Sequence, residues 1–297
     1  MHMADGRTVP HASFLETVGR FANLLARLGI APGDRVAAQI EKSTEALALY
    51  AACVRTGAVF LPLNTAYTPD EISYFVDNSG ARLLVCDDTC HRALQPVAKA
   101  CGALLETINA GGSGSFADQA QDLPTAFSTV DRTQDDLAAF LYTSGTTGRS
   151  KGAMLTQGNL LSNCRTLVNE WRFTADDALI HALPIFHTHG LFVATNIMLL
   201  SGGAMIFMPK FDLDEMLRHL PHATALMGVP TFYTRLLSDA RFTREATAHM
   251  RLFISGSAPL LAETHVAFEA RTGHRILERY GMTETNMNTS NPYEGDR

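Results

Sequence analysis

Apolar residues recur at helical spacing over 14–28 (Phe14, Leu15, Val18, Phe21, Leu24, Leu25, Leu28), which predicts an amphipathic helix. Gly29 follows as a stop, and Pro32-Gly33-Asp34 reads as a turn. Short apolar runs at 36–40, 59–61, 83–86 and 104–108 are predicted strands. Between them, Ser43 is placed to cap a helix with Glu45 in its first turn, and Pro69-Asp70-Glu71 opens another that runs to about Asn78. The Gly/Ser stretch 111–115 reads as a surface loop. Strand and helix signals resume at 137–142, 159–171, 178–183, 191–200, 205–208, 224–229, 231–237 and 252–255. A helix over 262–272 and a last strand over 276–278 complete the pattern. Alternation of short apolar strands with helices predicts an α/β fold with largely parallel sheets covered by helices. Two sheet–helix subdomains are expected, at about 1–135 and 136–297.

Composition narrows the class. The 297 residues are 46% hydrophobic and 18% charged, enough for a sizeable buried core. The net charge of -6 argues against nucleic-acid binding, which favours a basic face. Cys53, Cys86, Cys90, Cys101 and Cys164 contain no CxxC pair and read as free thiols in a reducing, cytoplasmic setting. Cys86 and Cys90 with His91 are a weaker metal reading. No signal region or membrane span is predicted. Met1-His2-Met3 reads as a start inside a domain, and the polar loop 291–296 as an end without a closing element.

The chemistry concentrates in three places. The segment 141–152 reads Leu-Tyr-Thr-Ser-Gly-Thr-Thr-Gly-Arg-Ser-Lys-Gly, a buried strand running into a glycine- and hydroxyl-rich turn. Glycines let backbone amides face a phosphate, hydroxyls donate further hydrogen bonds, and Lys151 supplies charge. The spacing is not the Walker pattern, because two residues separate Gly148 from Lys151. A flexible linker is the plain alternative, but a linker does not usually carry Arg149 and Lys151 while pinned to an apolar strand. In the second place, 279–285 (Arg-Tyr-Gly-Met-Thr-Glu-Thr), Glu284 offers a hard oxygen ligand for Mg²⁺ and Thr283 a phosphate hydrogen bond. In the third, 255–259 (Ser-Gly-Ser-Ala-Pro), small residues at a strand end leave room for a planar ring. Taken singly, the last two also suit an ordinary loop and an ordinary turn.

Together the three segments resemble the adenylate-forming superfamily of acyl-CoA synthetases, luciferases and peptide-synthetase adenylation domains. The resemblance covers essentially the whole chain, with Ser150 where many members have proline. It implies the superfamily's large domain, two mostly parallel sheets in a layered αβαβα arrangement, without the small C-terminal domain that carries the adenylation lysine. Weak nucleotide binding and little full turnover are therefore expected of this chain alone. The resemblance implies catalytic roles for Thr143, Lys151, Thr283 and Glu284. Ser144, Gly145, Thr146, Thr147 and Gly148 would wrap the phosphates. Ser257, Ala258 and Pro259, with Glu278, Arg279, Tyr280, Gly281 and Met282, would frame the rest of the nucleotide. Thr147 and Glu284 would hold Mg²⁺. ATP, Mg²⁺ and coenzyme A are the implied cofactor, metal and co-substrate.

The acid side of the site is expected around His187, His189, Arg235, Ser255 and Arg279. The histidines also read as structural or as a metal fragment lacking a third ligand, and Arg235 as a solvated helix residue. A cation buried beside an acyl pocket is costly unless the substrate brings an anion, and a second carboxylate does so. The wording around 187–190, 229–235 and 278–288 resembles malonyl-CoA synthetases, which implies malonate or methylmalonate as the acid. A ligase for a monocarboxylic acid and a non-catalytic nucleotide-binding fragment are the alternatives.

Overall fold

The computed structural model describes residues 1–3, 5–143 and 149–295. The chain forms two compact units, Pro10–Leu160 and Met1–Val9 with Leu161–Arg297. The first strand, β1 (His2–Met3), belongs to the second of these and pairs with a strand two hundred residues on, His2 facing Ile206.

In the unit Pro10–Leu160, helix α1 (His11–Arg27) buries Phe14, Val18, Phe21, Leu24 and Leu25, and Gly29 (φ 77°) turns the chain out of it. Strand β2 (Arg35–Gln39) follows, then α2 (Thr44–Thr56), whose Ser43 cap accepts from the Ala46 N–H at 3.0 Å. Next come β3 (Val59–Pro62) and α3 (Pro69–Ser79), which Thr68 and Glu71 cap reciprocally. They are followed by β4 (Leu83–Cys86), α4 (Asp88–Cys101), β5 (Leu104–Thr107) and the short α5 (Ser115–Ala120). A hairpin of β6 (Leu137–Thr143) and β7 (Lys151–Thr156) closes the unit. Among the described residues the sheet order is β5-β4-β2-β3-β6-β7, parallel except for β6 against β7.

Helix α6 (Gln157–Glu170) leads into the second unit. There β8 (Ala178–His181) runs into a π-helical segment, His189–Thr195, continued by α7 (Asn196–Ser201). Then come β9 (Ala204–Phe207), α8 (Leu213–His219), β10 (Ala225–Gly228), α9 (Pro230–Leu237) and α10 (Arg244–Thr247). Strand β11 (Leu252–Ser255), α11 (Ala262–Thr272), β12 (Ile276–Met282) and β13 (Asn286–Ser290) end the unit. The described strands are ordered β1-β9-β8-β10-β11-β12-β13, parallel except for β12 against β13.

Two differences from the sequence reading matter. The units part after Leu160, not near 135, because β6 pairs with β3 and draws β7 with it. Met1-His2-Met3, for which the sequence pattern predicts no strand, contributes an edge strand, with Met1 buried.

Candidate functional site

The hairpin that carries the glycine-rich turn is built to hold its two ends. Thr143 faces Lys151 across the ladder, and the Thr143 hydroxyl donates to the Lys151 carbonyl at 3.4 Å. Tyr142 stacks on Phe75 at 4.4 Å between ring centroids and donates from its hydroxyl to Asn78 Oδ1 at 2.6 Å. Burial pushes the Tyr142 phenol up to about 12, so it stays a neutral donor. Tyr74 donates to the Ser150 carbonyl at 2.9 Å, and the Arg149 guanidinium lies over its ring at 5.5 Å. Gly152 is required on the far arm, since a Cβ there would sit 2.0 Å from the Phe140 ring. Lys151 is exposed at the mouth of this stem. Ser144, Gly145, Thr146, Thr147 and Gly148 lie outside the described residues.

In the second unit the parallel strands β8, β10, β11 and β12 all point their C-terminal ends to one edge of the sheet. Strand order reverses between β8 and β10, and ligands of open α/β sheets bind outside carboxyl ends at such a reversal. At that edge lie His189 and Arg279, both buried, and the exposed Ser257 between them. Arg279 Nη2 donates to the Ser257 hydroxyl at 3.4 Å, and the same hydroxyl is hydrogen-bonded to His189 Nδ1 at 3.3 Å. The chain strains to make this link: Ser257 has φ 71°, a left-handed conformation uncommon outside glycine. Gly256 lets the guanidinium lie against the backbone, because a Cβ there would stand 2.2 Å from the Arg279 Cζ.

Burial pulls the Arg279 guanidinium down to about 10, with the Tyr233 hydroxyl the opposing influence. Burial, with the cation of Arg279 next, holds His189 well below the usual imidazole range, so it is neutral. Arg279 makes no ion pair among the described residues. Four buried side-chain polar atoms at this edge also lack a protein partner there: Arg279 Nε, His189 Nε2, Ser255 Oγ and Thr188 Oγ1. Buried groups of this kind are normally hydrogen-bonded, so their concentration marks a place for a polar ligand.

The opposite edge of the same sheet is different. Arg251 donates to both carboxylate oxygens of Asp177, from Nε at 2.7 Å and Nη2 at 2.8 Å, and Thr224 adds a third bond at 2.6 Å. Burial raises the Asp177 pKa, but these hydrogen bonds outweigh it and leave the carboxyl below its ordinary value. That network is complete and structural.

The remaining expected residues fall into place separately. Ala258 and Pro259 are exposed after β11, as are Tyr280 and Met282 on β12, so apolar surface faces solvent at the strand ends. The Glu278 carboxylate accepts from the Leu260 N–H at 3.1 Å and lies 3.6 Å from His265. Gly281 sits at a bulge where a Cβ would meet the Asn286 carbonyl at 2.1 Å. Thr283 and the exposed Glu284 form the β12–β13 turn. His187 is exposed and packs on Phe186 at 4.6 Å. Arg235 is exposed over the Phe211 ring at 5.4 Å, so the buried-cation argument applies to Arg279 and not to it. Sequence reasoning passed over Thr188, Gly256 and Tyr233. Only the strand-end position of Gly256 carried a signal.

Across all of its residues, 1–297, the chain matches the family model described as AMP-binding enzyme. A mitochondrial malonate–CoA ligase of Xenopus laevis is 33% identical over 82% of this chain and 44% of its own length. A feruloyl-CoA synthase of Amycolatopsis is 34% identical over 94% of this chain and 55% of its own. The crystal structure of apo MatB from Rhodopseudomonas palustris superposes with a TM-score of 0.98 at 59% identity, covering 100% of this chain and 59% of that one. The ATP-bound form of MatB superposes at 0.97, with the same identity and coverage. The chain thus spans about half the length of the curated relatives it matches. On this match, and on a fold shared along its entire length, the chain belongs to the AMP-binding enzyme family.

Proposed function

We propose that this chain binds ATP and a short dicarboxylic acid, malonate or methylmalonate, as part of an AMP-forming acid–CoA ligase. The observation that carries the acid is Arg279: a buried guanidinium with no carboxylate partner among the described residues, beside His189, Ser255 and Thr188 with unused polar atoms. A fatty acid brings only the carboxylate that reacts, whereas the second carboxylate of a dicarboxylic acid accepts from Arg279 and His189 together. Similarity to MatB and to a malonate–CoA ligase supports the same reading. The feruloyl-CoA synthase, at comparable identity, keeps a monocarboxylic acid as the rival.

The chemistry is two displacements. The first carboxylate of the acid attacks the α-phosphorus of ATP, the P–O bond to the leaving diphosphate breaks, and an acyl-adenylate forms. The thiolate of coenzyme A then attacks the acyl carbon and AMP leaves. No protein nucleophile is needed, so the residues position the reactants and stabilise charge. Lys151, Thr143 and the hydroxyls of Ser144, Thr146 and Thr147 are assigned to the phosphates, with the amides of Gly145 and Gly148. Thr283 is assigned to the α-phosphate. Ser257, Ala258 and Pro259, with Glu278, Tyr280, Gly281 and Met282, are assigned to the adenine and ribose side. Glu284 fits Mg²⁺: it is a single exposed hard-oxygen ligand, and Mg²⁺ is usually held by one or two carboxylates plus phosphate and water. With Thr147 it would hold the ion, which supplies neutralising charge at the phosphate oxygens. The free cysteines fit a reducing, cytoplasmic setting.

Calorimetric titration of malonate and of butyrate into the chain with Mg-ATP tests the acid assignment. Malonate is expected to bind and butyrate to bind far more weakly, and Arg279→Ala should remove the preference. Equal binding of the two acids contradicts it.

A further inference from the structure

His181 and Thr195 belong to none of the recognised motifs, yet both are fully buried polar residues converging on one atom. His181 Nε2 lies 2.9 Å from the Gly190 carbonyl oxygen and 3.1 Å from Thr195 Oγ1. The Thr195 hydroxyl donates to the same carbonyl at 2.9 Å. A carbonyl only accepts, so Nε2 carries the proton, and the three groups form a closed triangle on Gly190.

This triangle sits on the π-helical segment His189–Thr195, where the Gly190–Thr195 spacing is the five residues of a π turn. Such turns insert a residue relative to the α-helix and rotate what precedes them by roughly 100°. Here the residue just before the anchored carbonyl is His189. Gly190 is fixed sterically as well, since a Cβ would stand 2.0 Å from the Pro184 carbonyl oxygen. The ring so placed meets the Ser257 hydroxyl through Nδ1, and its buried Nε2 has no hydrogen-bond partner among the described residues.

We propose that His181 and Thr195 are positioning residues for the acid substrate: by locking the Gly190 carbonyl they hold the His189 imidazole in the register and tautomer that presents Nε2–H to a substrate carboxylate. The inference rests on the dicarboxylate reading for its ligand, but the position of the ring can be read without one. Neither residue touches the substrate, so both act through His189.

The test compares wild type with Thr195→Val, which keeps the shape and removes the hydroxyl, and Thr195→Ser, which restores it. Malonate and ATP affinities are measured by calorimetry, and the His189 ring nitrogens by ¹⁵N NMR. Thr195→Val is expected to weaken malonate by about tenfold, the scale of one lost buried hydrogen bond, while ATP affinity holds and Thr195→Ser recovers both acid affinity and ring signals. The wild-type ring should show a single tautomer protonated on Nε2, and Thr195→Val a mixture. Unchanged ring signals in Thr195→Val overturn the proposal. So does an equal loss of ATP and malonate affinity, which would mark a purely structural role. If wild type binds no malonate but the ring still shifts in Thr195→Val, the dicarboxylate reading falls and the positioning of His189 stands.

Discussion

Arg251 and Arg279 are arginines of one sheet, at opposite edges. Arg251 has the Asp177 carboxylate in a bidentate pair, whereas Arg279, among the described residues, has no carboxylate partner and donates to the Ser257 hydroxyl. Breaking the first pair strands a half-buried guanidinium, so Asp177→Ala should lower unfolding free energy by about 3–5 kcal/mol in urea titration. Removing the second removes a charge that burial already disfavours. Arg279→Met is therefore expected to keep or raise the melting temperature while malonate binding is lost, the trade-off of a site built for a ligand. His189 adds a pH dependence. Its folded pKa lies below the ordinary 6.5, so between the two values the unfolded chain binds the extra proton. Stability is fully present above about pH 6.5 and falls as pH drops below it, by up to ~1.4 kcal/mol per pH unit for this group. His189→Gln should flatten the stability–pH curve between pH 6.5 and 5, and an unchanged slope would mean the ring titrates normally. At this scale the sequence made Arg279 and His189 visible as chemistry-bearing residues. It did not separate buried Arg279 from exposed Arg235, because both lie in mixed apolar and polar wording and only the fold decides which one loses water.

The hairpin of β6 and β7 shows what an element adds. Its first strand is apolar and legible, while β7 buries only Leu155 fully and carries Lys151 and exposed Met154, so its period is weak. For the same reason β13, Asn-Met-Asn-Thr-Ser, is not among the predicted strands. Each is held by its partner strand more than by its own apolar content: β7 by β6, and β13 by β12 together with Asn163, whose amide donates to the Met287 carbonyl at 2.8 Å. The stem of the glycine-rich hairpin depends on close packing, so Gly152→Val, forcing atoms onto the Phe140 ring, should cost about 1–3 kcal/mol by chemical denaturation. Tyr142→Phe, which removes the bond to Asn78, is expected to cost nearer 1 kcal/mol. Equal stability of Gly152→Val and wild type would show that the ring moves aside freely.

For the whole molecule, the strand–helix alternation conveyed the α/β class, and the Ser43 cap and the Pro69-Asp70-Glu71 opening set two helix starts within a residue or two. The division into units was less legible. The pairing of Phe60 with Ala139 joins residues far apart in sequence, and no local signal announces it. No helix among the described residues is long and apolar enough to cross a membrane. Binding of the acid is decided at one locus, the C-terminal edge of the second sheet. The most direct measurement is a crystal structure of this chain with Mg-ATP and malonate. One malonate carboxylate is expected within hydrogen-bond distance of the Arg279 guanidinium. Malonate bound away from Arg279, with the guanidinium still lacking an anion, would contradict that expectation.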